Sequence, residues 1–89
     1  MPLSRVQLEF VLADLELANR IVVSPMCQYS ADDGVASDWH IHHLGMLANS
    51  GAGLVIAEMT DVERRGRISH ACLGIYSDDC EAPLASLVP

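Results

Sequence analysis

Two short aliphatic runs separated by one amphipathic helical stripe predict an α/β fold built on a strand–helix–strand unit. The runs are Ile21-Val22-Val23 and Leu54-Val55-Ile56-Ala57. Unbroken aliphatic sequence of this length is what a parallel strand, covered on both faces, requires. Between them Ile41, Leu44, Leu47 and Ala48 recur at three- and four-residue steps, which makes one buried helix face. A third observation concerns the end of the first run. There the β-branched signal stops at a proline and gives way to small, polar and sulfur-bearing residues, Ser24-Pro25-Met26-Cys27-Gln28-Tyr29. Strands that present a reactive site at their C-terminal ends stop in this way.

The elements follow in order. Residues 6–19 alternate loosely between apolar and polar through Val6, Leu8, Phe10, Leu12, Leu15 and Leu17, and predict a short hairpin or an irregular cap. The first core strand is expected over residues 20–24. Asp32-Asp33-Gly34 is a turn signal, and Ser37 or Asp38 caps the helix expected from Trp39 to Ser50. Gly51 and Gly53 suit the helix stop and the turn into the second core strand, residues 54–58. A strand–helix–strand crossover of this kind is right-handed. An arginine-rich loop runs from Thr60 to Ser69, followed by Leu73-Gly74-Ile75 and a weak helix signal from Asp79. Pro83 is tolerable in that helix only within the first turn, and Pro89 ends the chain. There are no internal repeats.

Composition narrows the function classes. Hydrophobic residues make up 51% of the 89 and aromatic residues 4%, so the core is aliphatic with few large rings. Folding a chain this short buries about 60 to 65% of its unfolded surface, so independent stability is expected to be marginal. A formal charge of −7, with five arginines and no lysine, disfavours nucleic acid and anionic membrane surfaces as partners. Cys27, Cys72 and Cys80 form neither a CxxC pair nor a regular spacing, so a reducing cytoplasm is the expected location. Arg5, Glu9, Asp14 and Glu16 interrupt the N-terminal apolar residues, so no signal peptide is expected, and no apolar run reaches the length of a membrane span.

Several uncommon pieces occur in order: NRIVVSPMCQYSADDGVASDWH, then GAGLVIAE, then GRIS, then LGIYSD. Together they make the chain closely resemble the start of the Old Yellow Enzyme family of FMN-dependent oxidoreductases, in the branch that carries a cysteine beside the flavin. The resemblance implies the N-terminal βαβ portion of a TIM (β/α)8 barrel, preceded by a short hairpin-like cap. A complete barrel needs about 250 residues. Residues 1–89 are therefore expected to be the N-terminal fragment of a single FMN-binding barrel domain, an incomplete barrel.

Residue types alone leave two readings for Ser24, Pro25, Met26 and Cys27: an ordinary strand-to-loop turn, or ligand contact at the site-bearing face of a barrel. The resemblance implies the second, with these four lining the flavin ring. Cys27 reads either as a small buried hydrophobe or, by the resemblance, as a thiol near the flavin that tunes its reduction potential. Tyr29 either packs its ring and bonds its hydroxyl to the backbone or, by the resemblance, faces the substrate. Met59, after the second core strand, matches a stretch that runs beside the flavin. Relatives carry a small residue there, so its longer side chain is expected to crowd the ring.

His40, His42 and His43 lie within one helical turn, but their spacing does not suit a helical zinc site, and no metal is expected. Trp39, His40 and His43 match a helix that packs in the family. Arg64, Arg65 and Arg67 read as a solvated charged loop, and the resemblance implies that Arg67, in GRIS, fixes loop structure rather than binding phosphate.

The implied activity is NAD(P)H-dependent reduction of activated alkenes, by hydride transfer through FMN to a small enone-type substrate. No catalytic residue of that reaction is expected on this stretch, and activity from the chain alone is not expected. Two other roles remain open, an interaction module that completes a barrel in trans and a truncated remnant without function. Unpaired strand edges predict self-association.

Overall fold

The computed structural model describes residues 4–87. A 3₁₀ turn, Arg5–Gln7, leads into an antiparallel hairpin of β1 (Phe10–Leu12) and β2 (Leu15–Leu17). Phe10 stands opposite Leu17 and Leu12 opposite Leu15, with Ala13 in the turn at φ 52°. Of this hairpin only Leu17 is buried, so most of its apolar side chains remain on the surface.

The βαβ unit then forms. β3 (Val22–Val23), α1 (Asp38–Ala48) and β4 (Leu54–Val55) follow in order, with β3 and β4 parallel and Val22 opposite Leu54. Asn19 ties the two strand starts together. Its Nδ2 donates to Gly51 O at 2.7 Å, and its Oδ1 accepts from Gly53 N at 2.8 Å. A Cβ on Gly53 would collide with the Asn19 carbonyl, so glycine is required at that approach.

Both core strands are shorter than expected, covering residues 22–23 and 54–55 rather than 20–24 and 54–58. The ladder itself reaches a little further, since Gly53 N donates to Ile21 O and Ile56 N to Val23 O. Among the described residues no third strand pairs with either, which leaves each strand one open edge. The expected burial on both faces is likewise not met: Ile21, Val22 and Ile56 are each about half exposed.

The helices are capped by identifiable residues. Ser37 is the N-cap of α1, whose C-terminal end is closed by Asn49 N donating to Gly45 O at 3.2 Å, with Gly51 at φ 89° in the turn that follows. α2 (Asp78–Ala85) starts one residue earlier than expected, after Ser77, and carries Pro83 in its interior rather than its first turn. Proline has no N–H to give the Asp79 carbonyl, but that carbonyl lies in an exposed first turn where water can serve it. The ladder resumes at once, with Ser86 N bonded to Ala82 O.

The buried centre lies in the connections beyond the C-terminal ends of β3 and β4. Cys72, Leu73, Cys80 and His40 are at most 2% exposed, and Ala31, Gly34, Asp61 and Gly74 are buried around them. Ala31 N donates to Ala71 O, Asp61 N to Leu73 O, Ile75 N to Asp61 O and Gly74 N to Gly34 O, all near 3.0 Å. The loop after β3 and the loop after β4 are thereby laced together.

The molecular surface is 6412 Å². A closed monomer of this mass exposes about 5,100 Å².

Candidate functional site

The backbone leaves β3 in an extended path through Ser24, Pro25, Met26 and Cys27 and reaches Tyr29 at φ 50°. Pro25 lacks an N–H and cannot continue a ladder, which releases the run from the sheet. Met26 is 47% exposed and Tyr29 52% exposed, while Cys27 is half-buried. Met59 is 39% exposed beyond the C-terminal end of β4, which pairs with β3 through Val23 and Val55. All six residues singled out in the sequence therefore lie beyond the C-terminal ends of one parallel strand pair. Their polar and sulfur atoms are open to a ligand.

The path of this run is fixed from the side. Gln28 Nε2 donates to Met26 O at 2.9 Å, and Gln28 Oε1 accepts from Trp39 Nε1 at 2.9 Å, so Gln28 bridges the exposed run to the first turn of α1. Trp39 in turn stacks on His43, with ring centroids 6.1 Å apart. His42 is exposed.

The loop behind the run turns on Asp33. Asp32 and Val35 exchange two backbone hydrogen bonds, and Asp33 and Gly34 between them lie at φ 47° and 83°, the two positive angles of a type I′ turn. The Asp33 carboxylate accepts from Arg64 Nε at 3.0 Å, from Arg67 Nη1 at 2.7 Å and from the Tyr76 hydroxyl at 3.2 Å. The Arg64 guanidinium above all, joined by Arg67 and Tyr76, holds its pKa far below the usual carboxylate range despite some desolvation. Arg64 also lies over the Tyr76 ring, 5.0 Å from its centroid. Arg67 thus fixes loop structure, as the GRIS segment suggested. The role of Asp33 was not legible, because a DDG triplet reads as a turn whatever its carboxylates do. Three arginines following a single loop were the available signal.

These pairings bear on what the site can hold. Arg64 and Arg67 are occupied by Asp33, Arg65 by Glu63, and Arg20 lies over the Phe10 ring. The run at the β3 exit presents methionine and cysteine sulfur and a serine hydroxyl, groups compatible with a flat, partly apolar ring such as a flavin's. Among the described residues this run carries no arginine for a phosphate. A separate apolar hollow of about 720 Å³ lies between α1, β4 and α2, lined by residues such as Ile41, Leu44, Val55, Leu73 and Leu84. It includes none of Ser24–Tyr29.

A parallel βαβ unit with an exposed, sulfur-bearing run at its strand exits defines the class: the first part of a β/α-barrel flavoenzyme. The chain belongs to the NADH:flavin oxidoreductase / NADH oxidase family, whose pattern matches residues 10–88. It is 46% identical over 88 residues to an NADPH dehydrogenase of Listeria monocytogenes, covering 97% of this chain and 26% of that protein. It is 44% identical over 72 residues to an NADPH dehydrogenase of Bacillus cytotoxicus, covering 79% of this chain and 21% of that protein.

Among solved structures it superposes on morphinone reductase in complex with tetrahydroNAD with a TM-score of 0.83 at 26% identity, covering 96% of this chain and 23% of the other. A variant of NCR from Zymomonas mobilis shares the fold, with a TM-score of 0.81 at 21% identity, over 96% of this chain and 27% of that one. The Old Yellow Enzyme resemblance and the partial-barrel fold class both hold. FMN with NADH or NADPH is the cofactor pair of the complete family members. The chain spans about a quarter of the length of the relatives it matches.

Proposed function

We propose that the chain supplies the first flavin-facing wall of an NAD(P)H:FMN oxidoreductase that reduces activated, enone-type alkenes. Bound FMN would supply the hydride relay from reduced nicotinamide to the alkene. The chain's own residues bind and orient. Ser24 and the main chain through Cys27 meet the polar edge of the ring, Met26 meets its apolar parts, and the longer Met59 side chain crowds it from the β4 side. Cys27 brings a polarizable thiol beside it, and of the three cysteines it is the one not buried. Tyr29 faces the substrate. Free thiols suit a reducing cytoplasm as the location.

The observation that carries this reading is the largely exposed run Ser24–Tyr29, beyond the C-terminal end of a parallel strand pair, in a chain of the flavin oxidoreductase family. With Arg64 and Arg67 engaged by Asp33 and Arg65 by Glu63, the chain is expected to recognise the ring and not the phosphate. The test is a titration of the whole chain with FMN and with riboflavin, followed by flavin absorbance and fluorescence. Weak, saturable binding of both with similar affinity, lowered by Ser24→Ala and Cys27→Ala, is the expected result. A spectrum unchanged by the protein, or binding indifferent to both substitutions, overturns it.

The half-exposed Ile21, Val22 and Ile56 on open strand edges favour a second reading, in which the strand pair associates with another copy or with a separate barrel piece. Sedimentation across a range of protein concentrations tests it. A monomer at every concentration argues against association between copies.

A further inference from the structure

His40 and Glu58 are two buried ionisable groups on neighbouring elements for which the flavin reading has no use. His40 is fully buried in the first turn of α1, and the Glu58 side chain, just beyond β4, is 5% exposed. The Ser37 N–H donates to His40 Nδ1 at 2.9 Å. An amide proton aimed at Nδ1 makes that nitrogen the acceptor and leaves Nε2 as the donating end of the ring. Nε2 lies 3.6 Å from Glu58 Oε2. Among the described residues neither His40 Nε2 nor Glu58 Oε1 finds a hydrogen-bond partner. Buried polar atoms without partners are costly, and among the described residues the Glu58 carboxylate, facing Nε2 through Oε2, is the acidic group that lies within ion-pair reach of the ring.

We infer that His40 is a positioning residue that acts through Glu58. The helix cap fixes the ring, the ring holds the carboxylate, and the carboxylate fixes the main chain where β4 opens at Met59. Thr60 Oγ1 donates to Glu58 O at 3.0 Å, so the same turn is held from its other side. Asp61 N bonds to Leu73 O one residue further on, which makes its amide a reporter of whether this exit is held. The pair connects α1 to the stretch that the proposed function sets beside the flavin, and its consequence for the flavin rests on that reading.

The experiment compares the whole chain with His40→Gln, His40→Asn and Glu58→Gln. Glutamine keeps a donor at the Nε2 end, whereas asparagine keeps an acceptor at the Nδ1 end but is too short to reach Glu58. Asp61 amide exchange is expected to stay near the parent rate in H40Q and to rise about tenfold or more in H40N, as a buried carboxylate loses its partner. With FMN added, H40N and E58Q are expected to shift the flavin absorption band, and H40Q to restore it.

Equal exchange in H40N and parent overturns the strut, whatever FMN does. Absence of any FMN signal in the parent counts against the flavin reading and leaves the exchange test standing. Where H40N does not fold, the ¹⁵N shifts of His40 in the parent decide, since a proton on Nδ1 overturns the inference.

Discussion

The strand pair β3–β4 and the connections beyond its C-terminal ends carry opposite burdens. The strands, which composition marks as the core, leave Ile21, Val22 and Ile56 about half exposed, whereas the connections, rich in Asp, Arg and Gly, bury Cys72, Leu73, Cys80 and His40. One region offers edges and faces to something else. The other holds itself together through side-chain bonds between loops. In the complete barrels of the family the strands enclose the interior, so the strand pair depends on neighbours and the loop cluster does not.

This contrast can be broken experimentally. Leu73→Ala removes a large side chain that is 2% exposed and is expected to cost about 2–4 kcal/mol in urea unfolding. Val22→Ala, at a strand position 49% exposed, is expected to cost less than about 1 kcal/mol. Equal losses would mean that the strands are covered in solution, by another copy or by another part of the molecule.

Asp33→Asn sharpens the same contrast. Asparagine tolerates the positive φ of 47°, so the substitution isolates the charge. The folded-state pKa of Asp33 lies below its unfolded value, so its contribution is fully present above about pH 4 and is lost as pH falls further. The parent is expected to lose stability on acidification through that range more steeply than D33N, as read by circular dichroism. Matching acid profiles would remove Asp33 as the tie between the loops.

The smallest expected effect is that of Gln28→Ala, whose partners are exposed. It is expected to cost under about 0.5 kcal/mol. It also frees the indole of Trp39, the single tryptophan, and shifts its emission. An unmoved emission spectrum would mean that the bridge from Trp39 to the β3 exit does not form.

The parts legible in the sequence are those governed by local chemistry. Pro25 ended the first strand, Asp33-Gly34 made its turn, Ser37 capped α1, and the 6–19 alternation became the β1–β2 hairpin. Strand length was overestimated because aliphatic runs specify what a strand wants to bury and not whether a neighbour is there. The candidate run could be picked out because it is contiguous. Asp33, Gln28 and Glu58 were not, since each acts through a partner 11 to 43 residues away or on another element. Pro83 was misplaced because water can serve an exposed helical carbonyl as well as an amide can.

The Asp33–Tyr76 bond has a further consequence, for the order of events during synthesis. It closes a loop that contains all of α1 and β4. The entropy of closing such a loop grows only slowly with its length. Every member of the tie has left the ribosome once Tyr76 emerges, so from that point the loops can lock and hold β3 beside β4. A parallel sheet, slow to assemble from distant pieces, then begins from a pair already in register.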